Sequence, residues 1–331
     1  MTTPQPPLPP TPPAGLVVED LFAAKRKALR LELLTPEVSL TRRVEDPDVS
    51  SPGLALAGYL ARFPGGRMQV LGETEMTYLA SLSSEDQASR LRGFLAQEVP
   101  AAFVTKNQEV PAVMVEEATA HGVPLFRTSL STKEFFRRIK PHLESALAPA
   151  TSVHGSLADV YGVGLLFVGQ SGIGKSECVL DLVERGHRLV ADDLVLVSRR
   201  GNDILIGKGH PLQGHHMEIR GIGIIDIQAL FGIRAIRQQK RIEVVVRLEE
   251  WDDTHTYDRT GLDRDMVDIL GVSIPRVTVP LNPGKNITVI SEVVAMNHLL
   301  RYAGVDSAAA FDQRLRGALL PVREYLEQDY E

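Results

Sequence analysis

"VGQSGIGKSE", Val168 to Glu177, is the stretch on which the reading of this chain turns. Gly169, Gly174, Lys175 and Ser176 satisfy G-x-x-x-x-G-K-[ST], and the motif carries meaning only between a strand and a helix. Both are legible. "GLLFVG" upstream is a short apolar run of the kind a buried strand needs. Downstream, "SECVLDLVERG" sets Val179, Leu180, Leu182 and Val183 at helical spacing, with Gly186 as a stop. Glycines in such a loop let successive backbone N–H groups turn toward phosphate oxygens, and the helix start adds partial positive charge. The whole loop, Gly169, Gln170, Ser171, Gly172, Ile173, Gly174, Lys175 and Ser176, is therefore a candidate nucleotide site. Lys175 is placed to reach the β- and γ-phosphates, and the Ser176 hydroxyl to meet Mg²⁺.

Beyond the helix the chain changes character. "HRLVADDLVLVSRRGNDILIGKG" holds strand-like runs joined by the turn-rich "RRGND", which suits an antiparallel hairpin. "GIGIIDI" and "RIEVVVRLEEWD" add further strand pattern, and helices return only at "SEVVAMNHLLRYAG" and "AAAFDQRLRGALL". The expected fold is a phosphate-loop core on a mixed sheet rather than a regularly alternating dinucleotide fold. Asp192 and Asp193, in "ADD", stand where a carboxylate near the phosphates could hold magnesium through water or accept a proton from an attacking hydroxyl. Neighbouring strand residues point to opposite sides, so one of the two should face the site. Glu218 and Arg220 precede a tight glycine turn and read as metal or phosphate contacts from an ordered loop. His154 lies just before the strand that feeds the phosphate loop, and Arg259 sits in the polar "DDTHTYDRTGLD". Each of these has a bland alternative, a packed histidine or a solvated arginine. His210, His215 and His216 match no zinc spacing.

Upstream lies a different domain. "MQVLG", "AAFVT" and "PLFRT" read as strands between the helical patterns "SSEDQASRLRGFLAQE", "PAVMVEEATAHG" and "STKEFFRRIKPHLESALA", with Ser131 as a cap and Gly122 as a stop. That alternation indicates a small parallel α/β domain over 17–148. Small residues and proline around Ala148 to Ser156 mark a linker, and 149–331 forms the second domain. Residues 1–16 are too rich in proline for regular structure and read as a disordered tail.

Composition bounds the function. A length of 331 residues with 44% apolar content leaves room for two cores, and a net charge of −6 provides no basic field for nucleic acid. The single cysteine, Cys178, excludes an internal disulfide. With no charged-then-apolar leader and no apolar run long enough to span a bilayer, the chain reads as cytoplasmic, without a membrane partner. Cys178 falls in the first turn of the loop helix, and a small packed side chain is the favoured reading over a reactive thiol.

Taken together, "HG" at His154, "GQSGIGKSE", "RGHRLVADD", "EIRGIGIIDI" and "DRTG" resemble the bacterial HPr kinase/phosphorylase family in order and spacing. The likeness runs through the second domain and, from about Val17, through the first. It implies a bifunctional enzyme of carbon-catabolite control that phosphorylates a serine of the phosphocarrier HPr with ATP. It implies also that the phosphate is removed by phosphorolysis, in which inorganic phosphate attacks and pyrophosphate leaves. A homohexamer is implied, with a kinase domain similar to phosphoenolpyruvate carboxykinase. Carried over by residue, Asp193 is the general base for the serine and the acid in reverse. Lys175 stabilises the moving phosphoryl group, Ser176 and Glu218 serve Mg²⁺, and His154 and Arg259 complete the polar site. The resemblance also gives catalytic weight to Met217 to Asp226, and weight in dephosphorylation to Pro280 to Lys285. Two positions depart from it: Asn282 and Lys285 stand where more arginine is expected, and lysine does not reproduce bidentate phosphate recognition. Gln170 replaces an expected acidic residue. The motifs alone equally suit a phosphate-loop kinase of a small molecule or a non-enzymatic ATP-sensing assembly protein.

Overall fold

The computed structural model describes residues 15–252, 265–282 and 284–316. Two compact units divide between Pro149 and Ala150. Of the tail expected over 1–16, Leu16 already pairs as part of a two-residue strand, Leu16–Val17, with Arg43–Val44.

The first unit is built on a five-stranded sheet in the order Leu31–Leu33, Leu125–Thr128, Ala102–Val104, Met68–Leu71 and Val49–Ser50. The last four run parallel, while Leu31–Leu33 adds an antiparallel edge that sequence patterning did not reveal. Alternate side chains of these strands serve two cores. Met68, Val70, Phe103 and Phe126 pack on Phe135, Ile139 and Leu143 of the Thr132–Ala146 helix. Leu71, Ala102, Val104 and Leu125 face Met76, Leu79, Leu91, Phe94 and Met114 on the other side. The helices begin where capping chemistry dictates: Ser83 Oγ accepts from the Asp86 amide at 3.2 Å, and Ser131 Oγ from the Glu134 amide at 3.3 Å.

The second unit carries a six-stranded mixed sheet in the order Arg188–Ala191, Ser156–Val160, Val163–Val168, Val244–Glu250, Val272–Leu281 and Met266–Ile269. Val163–Val168, Val244–Glu250 and Val272–Leu281 are mutually parallel, and the remaining pairings are antiparallel. A second, antiparallel sheet orders Gln239–Arg241, Ile204–Gly209, Leu194–Arg200 and Ala150–His154. Its central hairpin turns at "GND", as the sequence indicates. A separate hairpin joins His216–Ile219 to Gly223–Asp226.

The loop helix, Lys175–Glu184, buries Cys178, Val179, Leu182 and Val183 against the six-stranded sheet. It stops at Gly186, where the His187 amide reaches back to Leu182 O at 3.0 Å and closes the last turn. The Ile287–Tyr302 helix packs on the same core. The chain leaves the six-stranded sheet after Ala191 and enters the four-stranded one at Leu194, so "ADD" is the crossing point between sheets. Sequence patterning places those aspartates at the end of one run; the structure makes them a corner.

Candidate active site

The Val163–Val168 strand delivers the chain to Gly169, and the loop turns into the helix at Gly174, whose φ of 100° is left-handed. Lys175 is almost wholly buried, and its Nζ donates to Gly169 O at 3.1 Å and Gln170 O at 2.8 Å, tying the helix start to the loop entry. Burial pushes the ammonium below the ordinary lysine range, while Asp192, Asp193 and Glu177 pull it back. Those three carboxylates are the anions that act on the Lys175 charge.

The corner at Asp192 and Asp193 sends its two carboxylates in different directions. Asp192 is buried, and its oxygens accept from Ser176 Oγ at 2.9–3.0 Å and from Ser156 Oγ at 2.5 Å. Burial pushes this carboxyl above the usual range, and the two hydroxyl donors oppose that shift. Asp193 is exposed, with its carboxylate 3.1 Å from His154 Nδ1. Its φ of 64° is left-handed, and the Leu194 amide donates to Asp192 O at 2.7 Å across it, closing a three-residue turn. That turn holds Asp193 out of both sheets.

His154 is positioned by the pairing of its strand with Leu194, and the Gly155 amide donates to Asp193 O at 3.0 Å. A Cβ on Gly155 would stand 2.3 Å from Phe167 O, on the strand that feeds the phosphate loop. Only glycine allows that approach. The "HG" pair thereby brings His154 to Asp193 and its own backbone against the loop strand.

The His216–Ile219 strand alternates exposed Glu218 with buried Met217 and Ile219. Glu218 forms no hydrogen bond or ion pair among the described residues. Arg220, just beyond, brings its guanidinium over the loop: a Cβ on Gly172 would lie 2.3–2.6 Å from it. Lys285 Nζ donates to Pro280 O at 3.0 Å, so its charge is held by its own segment, whose Pro283 lies outside the described residues. Arg259 also lies outside them. Cys178 sits 3.8 Å from Ser291 Oγ, and burial pushes its thiol up to about 11, which fits a packed side chain.

The structure thus brings His154, Lys175, Ser176 and Asp193 into one neighbourhood through the corner and the loop. It adds one residue that sequence reasoning gave no role, Ser156, and ties Asp192, which the sequence left as one of two candidate carboxylates, directly to Ser176. Their link to Ser176 depends on which strand lies beside which, and strand neighbours are not written in spacing. Ser176 Oγ with the Asp192 carboxylate is an oxygen-only donor set, the kind that suits a hard divalent cation completed by phosphate and water. Among the described residues no three His, Cys, Asp or Glu side chains come together as an all-protein metal cage, and no helix is long and apolar enough to cross a membrane.

Comparison with known proteins covers both units. Residues 16–143 match the family described as HPr Serine kinase N terminus, and residues 145–315 match the HPr Serine kinase C-terminal domain. A curated HPr kinase/phosphorylase of Chloroherpeton thalassium is 46% identical over 318 residues, covering 93% of this chain and 94% of the relative. The protein of the same name from Bacillus cytotoxicus is 44% identical over 290 residues, covering 88% of this chain and 94% of the relative. A solved structure of the Hpr(Ser) kinase/phosphatase from Coxiella burnetii is 32% identical, covers 49% of this chain and 98% of that chain, and overlays with a TM-score of 0.44.

Proposed function

The chain belongs to the HPr serine kinase family, and from that premise we propose a bifunctional enzyme that phosphorylates a serine of HPr with ATP and removes the same phosphate by phosphorolysis. One observation supports the chemistry above the others: Asp193 is held out of both sheets by a left-handed turn, exposed, with its carboxylate 3.1 Å from His154 Nδ1 beside the phosphate loop.

In the forward direction the loop amides and the helix start bind the β- and γ-phosphates, and Lys175 moves from the loop carbonyls onto the phosphoryl oxygens. Asp193 accepts the proton of the incoming serine hydroxyl, and His154 orients that carboxylate. Arg220, resting on Gly172, is a further cation at the edge of the loop. Microscopic reversibility gives the reverse step to the same groups. Inorganic phosphate attacks the phosphoserine, pyrophosphate forms in the loop, and Asp193 returns the proton to the serine oxygen. Mg²⁺ would neutralise charge on the phosphate oxygens, held by Ser176 with Asp192 behind it and with Glu218 as a further carboxylate. Arg259 completes the anion-binding set in this reading. Cytoplasmic location and a homohexamer belong to the same proposal.

The test uses the full chain with HPr and Mg-ATP. Mass spectrometry should find one phosphoserine on HPr, and phospho-HPr with inorganic phosphate should release pyrophosphate. Asp193→Asn should slow both directions by about a hundredfold or more while nucleotide affinity stays near that of the parent. An unchanged rate would remove Asp193 from the mechanism, and release of free phosphate without pyrophosphate would replace phosphorolysis by hydrolysis. Phosphate on a small molecule instead of HPr would move the protein to the other kinase class.

A further inference from the structure

A cleft of about 250 Å³ opens on the first unit beside the Met68–Leu71 strand. Pro52, Tyr59 and Phe63 form an apolar wall, Ser51 and Arg62 lie at the rim, and Gln69 lines the inner side. Gln69 is out of place in that strand. It is wholly buried, and its neighbours Met68, Val70 and Leu71 are apolar. Its Nε2 donates to Arg67 O at 3.1 Å, and its Oε1 has no hydrogen-bond partner. The carbonyl of Arg67 fixes the orientation of the amide, because a flipped side chain would set acceptor against acceptor. A buried carbonyl oxygen without a donor is destabilising where an apolar side chain of similar size would not be. Arg62 is exposed and has neither an ion pair nor a hydrogen bond among the described residues. An unpartnered acceptor buried at the cleft wall, an exposed cation and aromatic surface, all among its lining residues, form a complementary set for one kind of molecule.

We propose that this cleft binds a small organic acid. Its carboxylate meets the Arg62 guanidinium, a ring or branched body packs against Pro52, Tyr59 and Phe63, and an N–H or O–H at its far end donates to Gln69 Oε1. The volume corresponds to about eight waters at ~30 Å³ each, which fits a single-ring or short-chain metabolite and is too small for a nucleotide. Every residue involved lies in the first unit, so this site is separate from the phosphate loop and does not rest on the phosphoryl-transfer reading.

Three probes on the full chain test it by calorimetry and ligand-observed NMR. 4-Hydroxyphenylacetate carries acid, ring and donor; phenylacetate lacks the donor, and 4-hydroxyphenylacetamide lacks the charge. The first should bind saturably in the millimolar range or tighter, and each of the others about tenfold more weakly. Arg62→Gln, at an exposed position, should erase the preference for acid over amide. Gln69→Met keeps the volume and should erase the preference for the phenol over phenylacetate, with a thermal midpoint no lower than the parent's. Absence of saturable binding by all three probes, or selectivity that either substitution leaves unchanged, overturns the assignment.

Discussion

Asp193 shows how one residue carries both a structural cost and a chemical role. A left-handed backbone is unfavourable for a side chain with a Cβ, and the fold retains it because the turn aims the carboxylate away from both sheets. Asp193→Gly and Asp193→Ala should therefore be equally inactive yet unequal in stability. The glycine variant, relieved at φ of 64°, should unfold about 1 kcal/mol later than the alanine variant in equilibrium denaturation. Equal stability would mean that the turn holds no strain. Cys178 gives a second test at this scale. With its thiol raised to about 11 and buried against Ser291, it should resist thiol reagents at pH 8 until denaturant is added. The loop lysine and its serine could be read from spacing because each sits at a fixed offset from a glycine turn, whereas the sequence left Asp192 and Asp193 side by side and only the resemblance chose between them. The hydrogen-bonded link from Ser156 to Asp192 could not be read, because Ser156 is 36 residues away and reaches it only through sheet pairing.

Between elements, the Lys175–Glu184 and Ile287–Tyr302 helices are joined by a polar cluster rather than by apolar packing alone. Glu292, almost wholly buried, accepts from Arg185 at 2.9 and 2.7 Å and from His187 Nε2 at 3.1 Å. Arg185 beside it holds this carboxyl down at about 2. A carboxylate whose folded pKa lies below its unfolded value stabilises the native state above the unfolded value, near 4.5, and loses that contribution as pH falls toward 2. Glu292→Gln should lower stability at neutral pH by about 2 kcal/mol. That is less than the roughly 3–5 kcal/mol of a fully buried pair, since Arg185 is half exposed. The same variant should flatten the stability curve between pH 4.5 and 2, measured by urea titration. A parallel shift with an unchanged slope would assign the pH dependence to other groups. Helix ends were legible at this scale because caps are local chemistry, as Ser131 and Gly186 demonstrate. Short edge strands such as Leu31–Leu33 were not, since three residues hold no period and their pairing is decided by what lies opposite.

At the scale of the molecule, the division into two units follows from where apolar side chains are spent. The two cores of the first unit draw only on residues from Leu16 to Leu147, and the two of the second only on residues from Val153 onward. A parallel α/β pattern and a phosphate loop on mixed strands were both visible in the sequence, because each repeats a local signal. The transfer of chain from one sheet to another at Asp192 and Asp193 was not, because nothing in the run "LVADDLVL" marks where one pairing partner is exchanged for another. Each unit encloses its own cores at a size sufficient to bury most of its apolar surface, so each should fold alone. Residues 15–149 expressed separately should unfold in one cooperative transition and keep the affinity for 4-hydroxyphenylacetate. Residues 150–331 should keep ATP affinity within a few fold of the whole chain. A first unit with helical content but no cooperative melt would show that its cores are insufficient without the rest of the chain, since tight packing of Phe103, Phe126 and Phe135 is what separates a folded sheet from a collapsed one.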